Sequence, residues 1–445
     1  MSSNPRYICK KCSTTYPKWM GKCTKCFAWN TIQVEHNEIE SNSIVEIQYL
    51  NQNTTQVLER YKTQLKEFDY VCGGGLVRNS VTLIGGAPGI GKSTLLLQIA
   101  ATLESSQPIL YVSGEESINQ IQLRANRLQL DTSNIACATN ICIETILNGM
   151  KDVKPSLLII DSIQTVYSTE NDGGPGSINQ MKLCTHYLTQ WAKTNNIALI
   201  LVGHITKEGG LAGPKMIEHM VDTVLYFENE RMEQSMRLLR SVKNRFGPTD
   251  TIALFEMVQH GLQEVKDPST FLLKNRSINT AGSCIFAAVE GGRPLLVEMQ
   301  ALVTQSYLQM PRRAVLGWES LRLSMLTAIL DNKCKTKLSG SDLYFNIISG
   351  IRIQEPASDL AAAIAVLSAL YKITISSKIV AFGEICLSGE IRQANRSVAR
   401  AQEAKKLGFT TIVSATVCDD MQNIVVKHVS ELHDWILEQK QRNAS

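Results

Sequence analysis

From about residue 60 to 265, short apolar runs alternate with longer amphipathic stretches. The apolar runs are 81–84, 109–112, 157–160, 198–202, 223–227 and 238–242, with helix-like stretches at 93–104, 117–128 and 178–194. That alternation predicts an α/β domain on a mostly parallel sheet. Residues 266–445 read as α+β, with strands near 283–289, 295–303 and 379–387, a helix over 358–371 (SDLAAAIAVLSALY) and another near 395–407. Ahead of both lies a short, basic, cysteine-rich segment, 1–35. Residues 36–59 are rich in Asn, Gln, Ser and Thr and read as a linker with one strand near 44–50. No internal repeat is visible.

Composition narrows the class. At about 150 residues per domain the length suggests roughly three domains. With 44% hydrophobic and 19% charged residues, wholesale disorder is excluded. The longest apolar runs fall far short of the ~18 residues a membrane span needs, and no apolar export segment follows the N-terminus, so the expected compartment is the cytoplasm, without membrane contact. The net charge is +4, of which residues 1–35 carry +5 and the remainder −1. A mildly basic total fits nucleic-acid binding without diagnosing it.

Four of the twelve cysteines crowd into Cys9, Cys12, Cys23 and Cys26. Two CxxC knuckles each present two thiolates to one tetrahedral zinc ion, and a span of 18 residues is too short for an apolar core, so metal ligation supplies the folding energy. The lysines around the knuckles either attract nucleic acid or only solvate the surface. Trp19 and Trp29 are assigned to the small core, with base stacking as the lesser alternative.

Gly86, Ala87, Pro88, Gly89, Ile90, Gly91, Lys92 and Ser93 spell GxxxxGK[ST] between the run 81–84 and a helix that Thr94 enters. Glycines let the loop wrap phosphates with main-chain N–H groups at a helix N-terminus. Lys92 would reach the β- and γ-phosphates and Ser93 would ligate Mg2+, helped by Asp161 at the end of the run 157–160. Glu115 and Glu116 end the strand after the P-loop helix; either is a candidate to activate water, and either also suits an acidic helix start. His204 ends the run 198–202 as a candidate γ-phosphate sensor or a satisfied loop histidine, and the glycine-rich 206–215 after it can bind a polymer. His186 and His219 have no partner pattern. Lys243, Asn244, Arg245, Phe246 and Gly247 place two cations on a turn, either an ordinary basic turn or a pair that reaches phosphate across a subunit boundary.

Together these residues resemble the RadA (Sms) family of bacterial recombination proteins over nearly the whole chain. The resemblance rests on Tyr7, Tyr16, Trp19 and Trp29 around the cysteines, Phe68-Asp69 and Gly73-Gly74-Gly75-Leu76 ahead of the P-loop, residues 111–116, and KNRFG over 243–247. It implies a RecA-like ATPase using ATP, Mg2+ and Zn2+ as a homo-hexameric ring on single-stranded DNA. Such a motor drives branch migration of recombination intermediates beside a RecA-type recombinase, with 243–247 acting at the neighbour's nucleotide and on DNA. The third region resembles the proteolytic domain of Lon. Its nucleophile position falls on Ala357, Ser358 stands one residue late, and the lysine position falls on Val398. Serine–lysine chemistry needs both groups in reach, so an inactive protease fold reused for assembly and DNA contact is expected. Arg312, Arg313, Arg392, Arg396 and Arg400 are its candidate basic surface, each equally readable as a solvated charge. An ATP-dependent peptidase and a non-hydrolysing, ATP-switched scaffold are the competing classes.

Overall fold

The computed structural model describes residues 7–34, 58–204, 216–228, 235–249 and 251–444, except 275, 277, 279, 309, 349, 350, 419 and 420. The strand expected near 44–50 and the glycine-rich 206–215 lie outside the described residues. The chain falls into two compact units, Met1–Leu58 and Glu59–Ser445. In the first, Tyr7–Cys9 pairs antiparallel with Thr15–Tyr16 on one side and Ile32–Val34 on the other.

Among the described residues of the second unit, nine strands form one sheet in the order Gly261–Glu264, Ile252–Val258, Met236–Asn244, Thr223–Glu228, Val81–Gly86, Ala198–His204, Leu157–Asp161, Ile109–Ser113, Ile135–Ala138. The last six run parallel and the first three are antiparallel additions. The mostly parallel sheet read from the apolar runs is therefore present. Its central strands are continuous hydrophobic runs because both faces are covered. Leu157 and Ile159 pack with Leu95, Leu96 and Ile99 of helix Lys92–Thr102. Leu158 and Ile160 face the opposite way, toward Met181, Cys184 and Leu188 of helix Ile178–Thr194.

Among the described residues a second sheet of seven strands runs Arg313–Leu316, Ser341–Ile347, Arg293–Gln305, Ser283–Glu290, Ile379–Ala381, Thr411–Ser414, Gln422–Val425. Helix Asp359–Tyr371 packs against it, buried through Ser368; its alanines let the helix backbone approach the strands closely. The strand expected over 379–387 is shorter. It leaves the sheet after Ala381, and Glu384–Ile385 pairs instead with Ile391–Arg392. Gly383 causes the break: its N–H donates to the Ala357 carbonyl at 2.8 Å and its carbonyl accepts from Leu360 N at 3.0 Å, tying the chain to the helix start.

The two sheets share a core. Met236, Leu238, Ile252 and Leu254 belong to the same buried cluster as Phe286 and Leu296, while Leu239, Ala253 and Phe255 turn to the P-loop side. Ion pairs Arg293–Glu67 at 2.7 Å and Arg240–Glu290 at 3.3 Å flank the seam. No helix among the described residues is long and apolar enough to cross a membrane.

Candidate nucleotide site and zinc centre

The P-loop lies at the carboxyl end of Val81–Gly86 and runs into helix Lys92–Thr102. Gly89 at φ +74° and Gly91 at φ +114° hold conformations that favour glycine, and a Cβ at Gly89 would meet nothing within 4 Å, so the loop is open on its outer side. The Lys92 ammonium is buried beneath it and donates to the carbonyls of Gly86 at 2.8 Å and Ala87 at 2.9 Å and to His204 Nδ1 at 3.3 Å. All three partners are neutral acceptors. Burial pushes Lys92 below its ordinary pKa, against the pull of Asp161 and Glu115. A buried cation bonded only to neutral groups under an open loop suits a polyphosphate.

Three neighbouring strand ends complete the site. Lysine carries only donors, so Nδ1 of His204 accepts and its proton sits on Nε2, which donates to Glu115 Oε1 at 2.7 Å. Ser162 Oγ donates to the same oxygen at 2.7 Å. Burial pushes Glu115 upward, but the bonds from His204 and Ser162 and the Lys92 charge outweigh it and hold the carboxyl below its ordinary range. Glu116 turns away. Its Oε2 accepts from Arg124 Nη1 at 2.7 Å and its second oxygen also pairs with Arg124, in a bidentate contact with helix Ile118–Arg127. Asp161, buried at the end of its strand, accepts from the Tyr111 hydroxyl at 2.7 Å on Oδ2. Ser162 escaped the sequence reading, and Tyr111 entered it only within the motif 111–116, without a role of its own. The available signals were a hydroxyl directly after the strand-end acid and a tyrosine inside an otherwise aliphatic run.

Residues 243–247 are elsewhere. Asn244 pairs with Thr223, which pairs with Thr82 of the P-loop strand. Four residues at ~3.3 Å each then separate that level from Gly86, about 13 Å along the strand. Lys243 Nζ donates to the carbonyls of Glu218 at 2.8 Å, His219 at 3.2 Å and Val221 at 2.8 Å, and Arg245 pairs with Asp222 at 3.3 Å. Burial and the Arg245 charge lower the Lys243 pKa. The turn rests on the other glycine motif: a Cβ on Gly247 would stand 2.9 Å from Gly73 Cα, and Arg60 donates to the Phe246 carbonyl at 2.7 Å and the Gly75 carbonyl at 3.2 Å. Two sequence signatures far apart in the chain are thus one packed structure.

In the C-terminal region Ser358 is fully buried, donating to the Glu355 carbonyl at 2.6 Å and accepting from Trp318 Nε1 at 3.0 Å. Val398 is 56% exposed. Arg400, read as a candidate surface charge, is 1% exposed. Its guanidinium pairs with Glu355, donates to the Ala287 carbonyl, and lies 5.8 Å and 5.7 Å from the ring centroids of Phe286 and Phe382. It belongs to the interior because its charge is fully partnered there. Arg312, Arg392 and Arg396 are exposed and Arg313 is half-buried.

In the first unit the four cysteine sulfurs lie within 4.8 Å of one another, with Cys9–Cys26 at 3.6 Å and Cys12–Cys23 at 3.4 Å. A tetrahedral ion with Zn–S bonds of ~2.3 Å needs sulfur separations of ~3.8 Å, so the donor set fits zinc. The Tyr16 hydroxyl, 3.1 Å from Cys23 Sγ, favours the thiolate there, while the neighbouring sulfurs raise Cys26, as expected of four thiols crowded together.

Residues 49–210 match the profile of the AAA domain, 325–417 that of subunit ChlI of Mg-chelatase, and 7–33 that of the rubredoxin metal binding domain. The DNA repair protein RadA of Rickettsia bellii is 45% identical over 437 residues, covering 96% of each chain. The chain belongs to the RadA family of DNA repair proteins. RadA of Bacillus subtilis is 44% identical over 420 residues and 92% of each chain, and RadA of Brucella abortus 43% over 423 residues, 91% of this chain and 90% of its own. A KaiC-like protein of Pyrococcus horikoshii is 18% identical, with a TM-score of 0.40 over 47% of this chain and 99% of its own. As a RadA protein the chain carries an AAA-type ATPase domain, a zinc ribbon and a Lon-protease-like C-terminal domain.

Proposed function

We propose that the protein is a DNA-dependent ATPase working as a hexameric ring in the cytoplasm. It moves along single-stranded DNA and drives branch migration of recombination intermediates in support of a RecA-type recombinase. One observation carries this reading. Lys92, Glu115, Asp161 and His204 gather at one end of the parallel sheet, while Lys243 and Arg245 sit at the other end, about 13 Å away along the strand. A site that uses all of them has to be completed by a neighbouring protomer.

The P-loop amides and Lys92 bind the triphosphate, the ammonium exchanging the Gly86 and Ala87 carbonyls for β- and γ-phosphate oxygens. Ser93 and Asp161 offer the hard oxygen donors that suit Mg2+; when bound, the ion neutralises phosphate charge. Tyr111 holds Asp161 by one oxygen and leaves the other for that role. Glu115 accepts the proton of the attacking water. His204 joins Lys92 to Glu115, so a phosphate that draws Lys92 away alters the bond that orients the base. Lys243 or Arg245 of the neighbour stabilises charge on the transferring group, and 243–247 also grips DNA in the channel. The C-terminal domain serves assembly and DNA contact. Peptidase chemistry is not proposed, because the Ser358 hydroxyl is committed to Glu355 and Trp318.

Phosphate release measured with and without single-stranded DNA, beside the mass of the assembly, tests the reading. Stimulation by DNA in a multi-protomer particle is expected. A solitary chain indifferent to oligonucleotides sinks it, and an assembly that binds ATP without DNA-stimulated release favours the scaffold.

Ser162 has its own consequence. Its hydroxyl stabilises the ionised form of Glu115, so Ser162→Ala lets the carboxyl rise. Turnover, which needs that carboxylate, is then lost at a higher pH: the acid limb of the kcat profile moves up. With the base less well aimed, kcat falls about tenfold while KM for ATP holds. An unmoved acid limb removes Ser162 from the mechanism.

A further inference from the structure

The zinc module shows aromatic surface that its own fold does not use. Trp19 and Trp29, expected in the small core, are 59% and 69% exposed, and Phe27 is 67% exposed. The buried core is Cys9, Tyr16, Cys23 and Ile32. The segments that carry these rings are nevertheless fixed. Trp19 Nε1 donates to the Ile32 carbonyl at 3.1 Å, the Phe27 amide donates to the Cys23 carbonyl at 3.0 Å, and Trp29 pairs through its main chain with Lys22. The Lys22 ammonium lies 5.4 Å from the Phe27 ring centroid and 5.2 Å from that of Trp29, so one cation and two rings form a single cluster.

Charge decides what covers it. Residues 7–34 contain Lys10, Lys11, Lys18, Lys22 and Lys25 and no carboxylate. Four thiolates around one zinc ion contribute about −2, which leaves a surplus of about +3 on a very small body. Anchor patches for protein partners are depleted in lysine. A single nucleic-acid strand instead offers unpaired base faces for rings and phosphates for ammonium groups, whereas a duplex hides its base faces.

The geometry points to the zinc module as a base-stacking platform for single-stranded nucleic acid. Phe27 and Trp29 each carry a base, Lys22 stands between them, and the flanking lysines meet phosphates. This extends the single-stranded-DNA reading above to a contact outside the ATPase domain.

The test uses the full-length, zinc-loaded protein and fluorescence anisotropy with labelled oligothymidylate. Phe27→Leu and Trp29→Leu keep apolar bulk but lose the aromatic face. Each is expected to weaken binding about fivefold or more while retaining one zinc per chain. Trp29→Phe, which keeps a ring, should bind as the parent does. On an abasic strand of equal length, parent and leucine variants should bind alike. Leucine variants that retain zinc and bind oligothymidylate like the parent overturn the platform and leave DNA binding elsewhere intact. A loss equally large on the abasic strand also overturns it, since the rings would then act only on the module's shape. A parent protein that ignores oligothymidylate fails the broader DNA reading as well.

Discussion

Lys92→Ala is expected to lower ATP turnover about a thousandfold or more while leaving the chain folded. The size follows from what the ammonium does: it is buried beneath the P-loop with only neutral partners, so its charge is available for a triphosphate, and nothing beside it can substitute. The fold should survive because the substitution falls at the first residue of helix Lys92–Thr102, where alanine is a strong helix former. The Gly86 and Ala87 carbonyls it leaves can be met by water entering the open loop. Steady-state phosphate release and a thermal melt, read together, check both halves. Normal turnover in a folded variant would remove the P-loop from the chemistry.

Mixing two inactive variants should restore activity. On the shared site proposed above, Lys243→Ala spoils the group a protomer lends to its neighbour, and Lys92→Ala spoils the pocket a protomer keeps for itself. Wherever the pocket of a Lys243→Ala protomer meets the intact turn of a Lys92→Ala protomer, the composite site is whole. In an equimolar random ring about a quarter of the interfaces meet that condition, so turnover should climb from near zero toward that fraction of the parent rate. The Lys243 ammonium is bonded to the carbonyls of Glu218, His219 and Val221. It therefore has to exchange those bonds for phosphate, and the recovery should depend on protein concentration. No recovery at any ratio, once subunit exchange is established, means that each chain completes its own site.

Much of this was legible in the sequence because it rests on short-range rules. Buried parallel strands read as unbroken apolar runs, and 81–84, 109–112, 157–160 and 198–202 all lie inside strands of the nine-stranded sheet. The P-loop could be placed for the same reason: its glycines, lysine and serine are consecutive. Contacts between distant segments were not legible. Nothing in the spacing says that Glu116 prefers Arg124 while Glu115 faces His204, since that follows from how helix Ile118–Arg127 docks. Arg400 looked like a surface charge because its partner, Glu355, lies 45 residues away. Trp29 looked like core because tryptophan usually is, yet the module is too small to enclose it. Gly383 hid the end of a strand whose apolar pattern continues past it.

The interleaving of Met236, Leu238, Ile252 and Leu254 with Phe286 and Leu296 bears on how force travels. A side chain in a close-packed interior cannot slide without opening voids, so such a seam resists shear. The Lon-like region is accordingly welded to the nucleotide-cleaving part rather than hung from it by a hinge. Any tilt that a spent phosphate imposes on the sheet carries the far region along as a lever of fixed length. Shortening the chain at the seam would strand an oily face in water and remove that lever with the same cut.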